Sequence, residues 1–144
     1  MPAILRNILA LVAGIVVGGV VNMSLVMLGP SLIPPPPGVD VNTAEGLAKG
    51  IHLFEAKHFV FPFLAHALGT LAGALVSFLL ARTHGTVLAW VVGVLTLAGG
   101  IAAAFMIPAP KWFIALDLVA AYIPMAWLAT VIGRRIKAPA ARPA

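Results

Sequence analysis

Ala65-His66-Ala67-Leu68-Gly69-Thr70-Leu71-Ala72-Gly73-Ala74 sits inside an apolar run from Phe59 to Ala81 that holds no Lys, Arg, Asp or Glu. A helix rises about 1.5 Å per residue and the hydrocarbon core of a bilayer is about 30 Å thick, so about 20 such residues cross it. Working outward, three more stretches reach that length: Ile4–Gly29, Thr86–Ile107 and Phe113–Gly133. The reading is an all-α, four-transmembrane-helix bundle in a single domain over residues 1–133. Residues 134–144, rich in Ala, Pro and Arg, are expected to form a disordered basic cytoplasmic tail.

Composition agrees. Hydrophobic residues make up 62% of the 144 and charged ones 9%, with a mean hydropathy of +1.10. Soluble chains average about 45–50% and about 25%, and disorder needs low hydrophobicity, so a soluble globule and a disordered chain are both excluded. The net charge of +5 does not point to nucleic acid, because the nine Lys and Arg are scattered at span ends rather than gathered in a phosphate-binding patch. With no cysteine, disulfides, zinc thiolates and thiol catalysis are absent.

The basic residues serve better as topology signals. Arg6, Arg82, Arg134, Arg135, Lys137 and Arg142 fall on the side of the termini, against Lys49, Lys57 and Lys111 on the other. That asymmetry predicts an inner-membrane protein with both termini cytoplasmic. The first span is longer than the apolar part of a secretory signal and is followed by no clear A-x-A site, so it is expected to be retained. The short links Arg82–Gly85 and Pro108–Trp112 make the last three spans antiparallel neighbours.

The long outer connection, Pro30 to His58, divides in two. Pro34-Pro35-Pro36-Pro37 predicts a polyproline strut, with a turn at Gly38-Val39-Asp40. Asn42 with Glu45 reads as a capping box. Beyond it Leu47, Ile51 and Phe54 share one helical face and Glu45, Lys49 and His52 the opposite one, the pattern of a short interfacial helix. Gly46 and Gly50 weaken that helix by about 1 kcal/mol each relative to alanine.

Helix faces then separate packing from lipid. In the second span Phe61, Leu64, Leu68, Leu71, Leu75, Phe78 and Leu79 project to one side, and Pro62, Ala65, His66, Gly69, Thr70, Gly73 and Ser77 to the other. Without a hydrophobic force between helices in lipid, close approach through small residues supplies the packing, so the small face points at protein. The first span repeats the device with Ala10, Gly14, Gly18 and Asn22. The third groups Ala89, Gly93, Thr96, Gly99, Gly100, Ala103 and Ala104, and the fourth Asp117, Ala120, Ala121 and Pro124. Gly14, Gly18, Gly69, Gly73, Gly99 and Gly100 are thus the expected packing glycines.

Polar groups in a span carry more information, since a charge at the bilayer centre costs at least about 2.5–3.5 kcal/mol. Asp117 lies roughly 6 Å inside the outer start of its span, and His66 and Asn22 roughly 10 Å inside theirs. All three occupy the outer third and small-residue faces, which makes Asn22, His66 and Asp117 the candidate intramembrane polar site. It serves either as an interhelical lock or as a proton- or cation-exchanging centre. His52, Glu55 and His58 form an H-x-x-E-x-x-H spacing and are weak metal candidates, because the two histidines lie about 120° apart on a helix. Interfacial anchoring or capping of the second span is the simpler role. His84 reads as a solvated loop residue.

No Walker lysine loop, G-x-S-x-G or dinucleotide fingerprint is present, and no catalytic residue, cofactor or metal is assigned. The outer segment Ile33-Pro34-Pro35-Pro36-Pro37-Gly38-Val39-Asp40, the stretch Ala65–Ala74 quoted above, and Phe105-Met106-Ile107-Pro108-Ala109-Pro110-Lys111-Trp112-Phe113 resemble a family of small four-helix bacterial membrane proteins of unknown function. The resemblance implies the topology and brings no substrate. The functional expectation is a non-enzymatic scaffold or accessory subunit associating through Gly/Ala faces with itself or another membrane protein. The alternatives are a small proton- or cation-coupled transporter using Asp117 and His66, and a metal-binding protein or intramembrane enzyme.

Overall fold

Small residues decide how closely two apolar helices approach, and here they set the central crossing. The computed structural model describes residues 1–138, with helices α1 (Ala3–Leu32), α2 (Ala44–Gly50), α3 (Val60–Leu80), α4 (Gly85–Met106), α5 (Lys111–Ala120) and α6 (Ile123–Lys137). No strand occurs among the described residues. Four stretches, Ala3–Leu32, Ala56–Leu80, Gly85–Met106 and Lys111–Lys137, are long and apolar enough to cross a membrane, the architecture of a multi-pass membrane protein.

The first and second spans run antiparallel in a fixed register. The Ser77 hydroxyl donates to the Ala10 carbonyl at 3.2 Å, Gly14 faces Gly73, Gly18 faces Gly69, and Gly29 lies on Phe61. A methyl group added to Gly18 would stand 2.8 Å from the Gly69 carbonyl oxygen, and one on Gly73 2.7 Å from that of Gly14. The backbones touch because nothing stands between them.

α3 is wrapped on more than the small face. Ala74 and Phe78 are buried in a cluster with Ala89, Val92, Ala126 and Ala129, and Leu71, Leu75 and Leu79 pack against it. The expectation that Leu71, Leu75, Phe78 and Leu79 face lipid is therefore corrected: α4 and α6 cover that side, and Leu68, 40% exposed, marks the open one.

At the end of the bundle that carries the N-terminus, basic side chains meet the carbonyl end of α3. Arg6 Nε donates to the Leu80 carbonyl at 3.0 Å, and Lys137 Nζ to those of Phe78 at 2.9 Å and Ala81 at 3.0 Å. Cations at a helix C-terminus satisfy its orphan carbonyls and oppose the negative end of its dipole. The Asn7 side chain donates to the Thr83 hydroxyl and accepts from the Arg82 and Thr83 amides, fixing the turn to α4. Arg134–Lys137 continue α6, so the expected disordered tail does not begin at 134; its remainder, 139–144, lies outside the described residues.

The fourth span is not the continuous helix expected over Phe113–Gly133. It breaks at Ala121–Tyr122, because Pro124 has no amide proton to give Ala120 and its ring crowds the preceding turn. α5 closes with the Ala121 amide on the Asp117 carbonyl, and α6 starts afresh with that of Ala126 on Tyr122.

The long connection between the first two spans also departs in detail. α1 continues through Pro30 to Leu32, beyond the expected end at Gly29. The polyproline segment closes in a turn, the Val39 amide donating to the Pro36 carbonyl with Gly38 at φ +81°, the left-handed value that suits glycine after proline. The cap of α2 is Thr43, whose hydroxyl accepts from the Gly46 amide, and not Asn42. Glu45 instead pairs with Lys49 on the exposed face. Gly46 and Gly50, which cost helix propensity, are where Asp40 and Val39 press on α2. Ile51 is buried against Phe59 and Phe113 with Leu47 and Phe54 beside it, so the apolar face of this segment seats on the bundle.

Candidate functional site

The break in the fourth span builds the site. On a regular helix residues five apart diverge by about 140°, but the break turns Tyr122 back so that its hydroxyl donates to Asp117 Oδ2 at 2.7 Å. From α3, His66 brings Nδ1 to 2.8 Å from Oδ1 and 3.0 Å from Oδ2 of the same carboxylate. The imidazole stacks on the Tyr122 ring, centroids 5.7 Å apart. Asp117 is 5% exposed and Tyr122 2%. A carboxylate so buried is tolerable only when its oxygens are bonded, and His66 and Tyr122 supply those bonds.

In the tautomer whose Nδ1–H donates to the Asp117 carboxylate, Nε2 is the free, accepting ring nitrogen of His66. Nε2 has no hydrogen-bond partner among the described residues. His66 stands where two cavities adjoin, both also bordered by Gly100 and Ala103. One, of about 410 Å³, is a cleft between α1 and α4 floored by α3. The other, of about 230 Å³, reaches Asp117 from beneath Phe54 of the long connection and Phe59 at the start of the second span.

Of the three polar residues expected to converge, His66 and Asp117 meet directly. Asn22 does not join them: it borders the cleft from α1, with no hydrogen bond to either among the described residues. Helix α1 is held against α3 at Gly18 and Gly69, which leaves the Asn22 side chain over Gly69 rather than over Asp117. Tyr122 takes that place. The signal for it in the sequence was Pro124 two residues later, which marks an interrupted helix beside the only tyrosine of the chain.

The packing glycines divide similarly. Gly14, Gly18, Gly69 and Gly73 form the crossing of α1 and α3, and Gly100 lies under the Tyr122 ring. Gly99 is corrected: an added methyl would meet nothing within 4 Å, because residue 99 looks into the cleft mouth, as Gly19 does from α1.

His52, Glu55 and His58 do not converge. His58 is buried, its Nδ1 accepting from the Glu55 amide at 2.9 Å and its Nε2 donating to the Pro34 carbonyl at 3.1 Å. It therefore clips the polyproline segment to the start of α3, while His52 is exposed and Glu55 pairs with Lys57. No group of three His, Asp or Glu placed to hold a metal occurs among the described residues. The chain matches no protein-family model, no curated protein and no solved structure.

Proposed function

We propose that this chain is a non-enzymatic accessory protein of the bacterial inner membrane, both termini cytoplasmic, that docks a membrane-embedded partner molecule in the cleft between α1 and α4. One observation carries the reading: the cleft opens at Gly19 and Gly99, where an added side chain would meet nothing within 4 Å, and at its other end stands His66, held by Asp117. Clefts of this size between helices, apolar with a few convergent polar groups, are the usual form of a binding site. The Lys/Arg asymmetry of six to three supports the orientation.

Purification in mild detergent followed by native mass spectrometry tests it. A membrane component should accompany the wild type and be lost from Gly99→Leu, whose side chain fills the cleft mouth. Wild type and variant carrying the same companion, or none, would overturn the assignment.

A second reading, proton or cation translocation, draws on the His66–Asp117 contact itself, the sole acidic side chain in a span being joined to a histidine. Against it, the cleft runs inward only to Gly14 and Val92, where α1, α3 and α4 close on one another.

A further inference from the structure

Thr70 is the side chain in the cleft that packing does not explain. It lines the cleft at 1% exposure, and its hydroxyl has no hydrogen-bond partner among the described residues. A threonine within a helix ordinarily bonds a carbonyl of the preceding turn, as Thr96 does to Val92 and Gly93 and Thr130 to Trp127. A buried hydroxyl left without a partner is destabilising, and the open space that Thr70 lines is the cleft, so its partner is to be sought there.

One helical turn separates Thr70 from His66 on the same face of α3. Thr70 offers a donor. Nε2 of His66, with its sister nitrogen committed to Asp117, offers an acceptor. Asn22 adds an amide from α1. A donor and an acceptor one turn apart ask for a single ligand atom that accepts from one and donates to the other, which is the chemistry of a hydroxyl. A carbonyl or ether would leave Nε2 empty, and a phosphate would set anionic oxygens beside the Asp117 carboxylate. From this polar end the cleft extends past Gly18 to Gly14, about 12 Å along α1, between walls of glycine and aliphatic carbon.

We propose that the cleft binds a lipophilic alcohol, its hydroxyl between His66 Nε2 and Thr70 and its chain along Gly14–Gly18 of α1. This rests on the reading of the cleft as the docking site.

The test is equilibrium binding of radiolabelled farnesol to the full chain in phosphatidylcholine nanodiscs, beside farnesyl methyl ether and farnesal. Farnesol should bind best, on the order of tenfold tighter than the ether, and Thr70→Val should lower its affinity by a similar factor. Gly99→Leu, on an exposed position that leaves folding intact, should abolish binding. If the ether or the aldehyde binds as tightly as the alcohol and Gly99→Leu removes all three, the hydroxyl assignment is wrong while the cleft reading stands. If none binds, or Gly99→Leu changes nothing, both are wrong. If the cleft is instead covered by a second copy, the nanodiscs hold a dimer that Gly99→Leu dissolves, and that result also overturns the alcohol.

Discussion

Nδ1 of His66 lies 2.8 Å from Oδ1 of Asp117, a contact between residues 51 positions apart that ties α3 to the fourth span. It does so at the break between α5 and α6, so the hydroxyl of Tyr122 reaches the same carboxylate. The pair thus holds a helix end in place and orients an imidazole toward the cleft.

Asp117→Asn keeps an acceptor for Tyr122 and for His66 Nδ1, and unfolding in mixed micelles should show a loss of about 1 kcal/mol. Asp117→Leu strands both partners in an apolar interior and should cost about 2–4 kcal/mol. Should reconstituted vesicles carry a pH-dependent flux that Asp117→Asn abolishes with the melting curve unchanged, translocation becomes the better reading.

Overpacking the crossing of α1 and α3 by Gly18→Leu or Gly73→Leu should destabilise the protein by about 1–3 kcal/mol, since each new side chain meets backbone. Gly19→Leu and Gly99→Leu should stay within about 0.5 kcal/mol of wild type. Leu71→Ala should cost more than Leu68→Ala, because Leu71 packs on the Ala74–Phe78 cluster. Thermal unfolding in detergent ranks all of these, and equal losses at Gly18 and Gly19 would contradict the register.

The orientation is open to a reporter active only in the cytoplasm. Fused after Ala144 it should be active, and inserted after Pro37 silent. The opposite pattern would place the cleft head and the His58 clip on the inner side.

In the outer connection the Asp40 carboxylate accepts from the Asn42 amide and the Thr43 hydroxyl, both at 2.8 Å, and these bonds hold its pKa below the ordinary 3.8. A depressed carboxylate contributes stability that is fully present above its unfolded pKa and is lost as pH falls through the folded one. Protection factors of the Asn42 and Gly46 amides against hydrogen exchange should therefore be highest near neutral pH and fall below about pH 4. Asp40→Asn should show the lower protection already at neutral pH, and a pH-independent protection factor in the wild type would refute the role.

Much of this was legible in the chain. Span number follows from the length of apolar runs against the thickness of a bilayer. The small face of α3 follows from helical period, which brings Gly69, Gly73 and Ser77 together whatever they pack against. Asp117 and His66 stand out because a charge in hydrocarbon needs a partner, and only one acid lies in a span.

What period and composition leave open is which partner each face meets. A hundred-degree step places Leu71 and Phe78 opposite the glycines, but only the seating of α4 and α6 decides that they touch protein rather than lipid. Gly19 and Gly99 are glycines like Gly18 and Gly100, yet one pair looks into open space and the other is pressed by neighbours, a difference of rotation about a helix axis that no single segment encodes. Asn22 lost its expected place for the same reason. Tyr122 gained it because Pro124 breaks the helix, and the direction in which the broken helix turns is settled by the Asp117 carboxylate five residues back on α5 and the His66 imidazole on the facing α3.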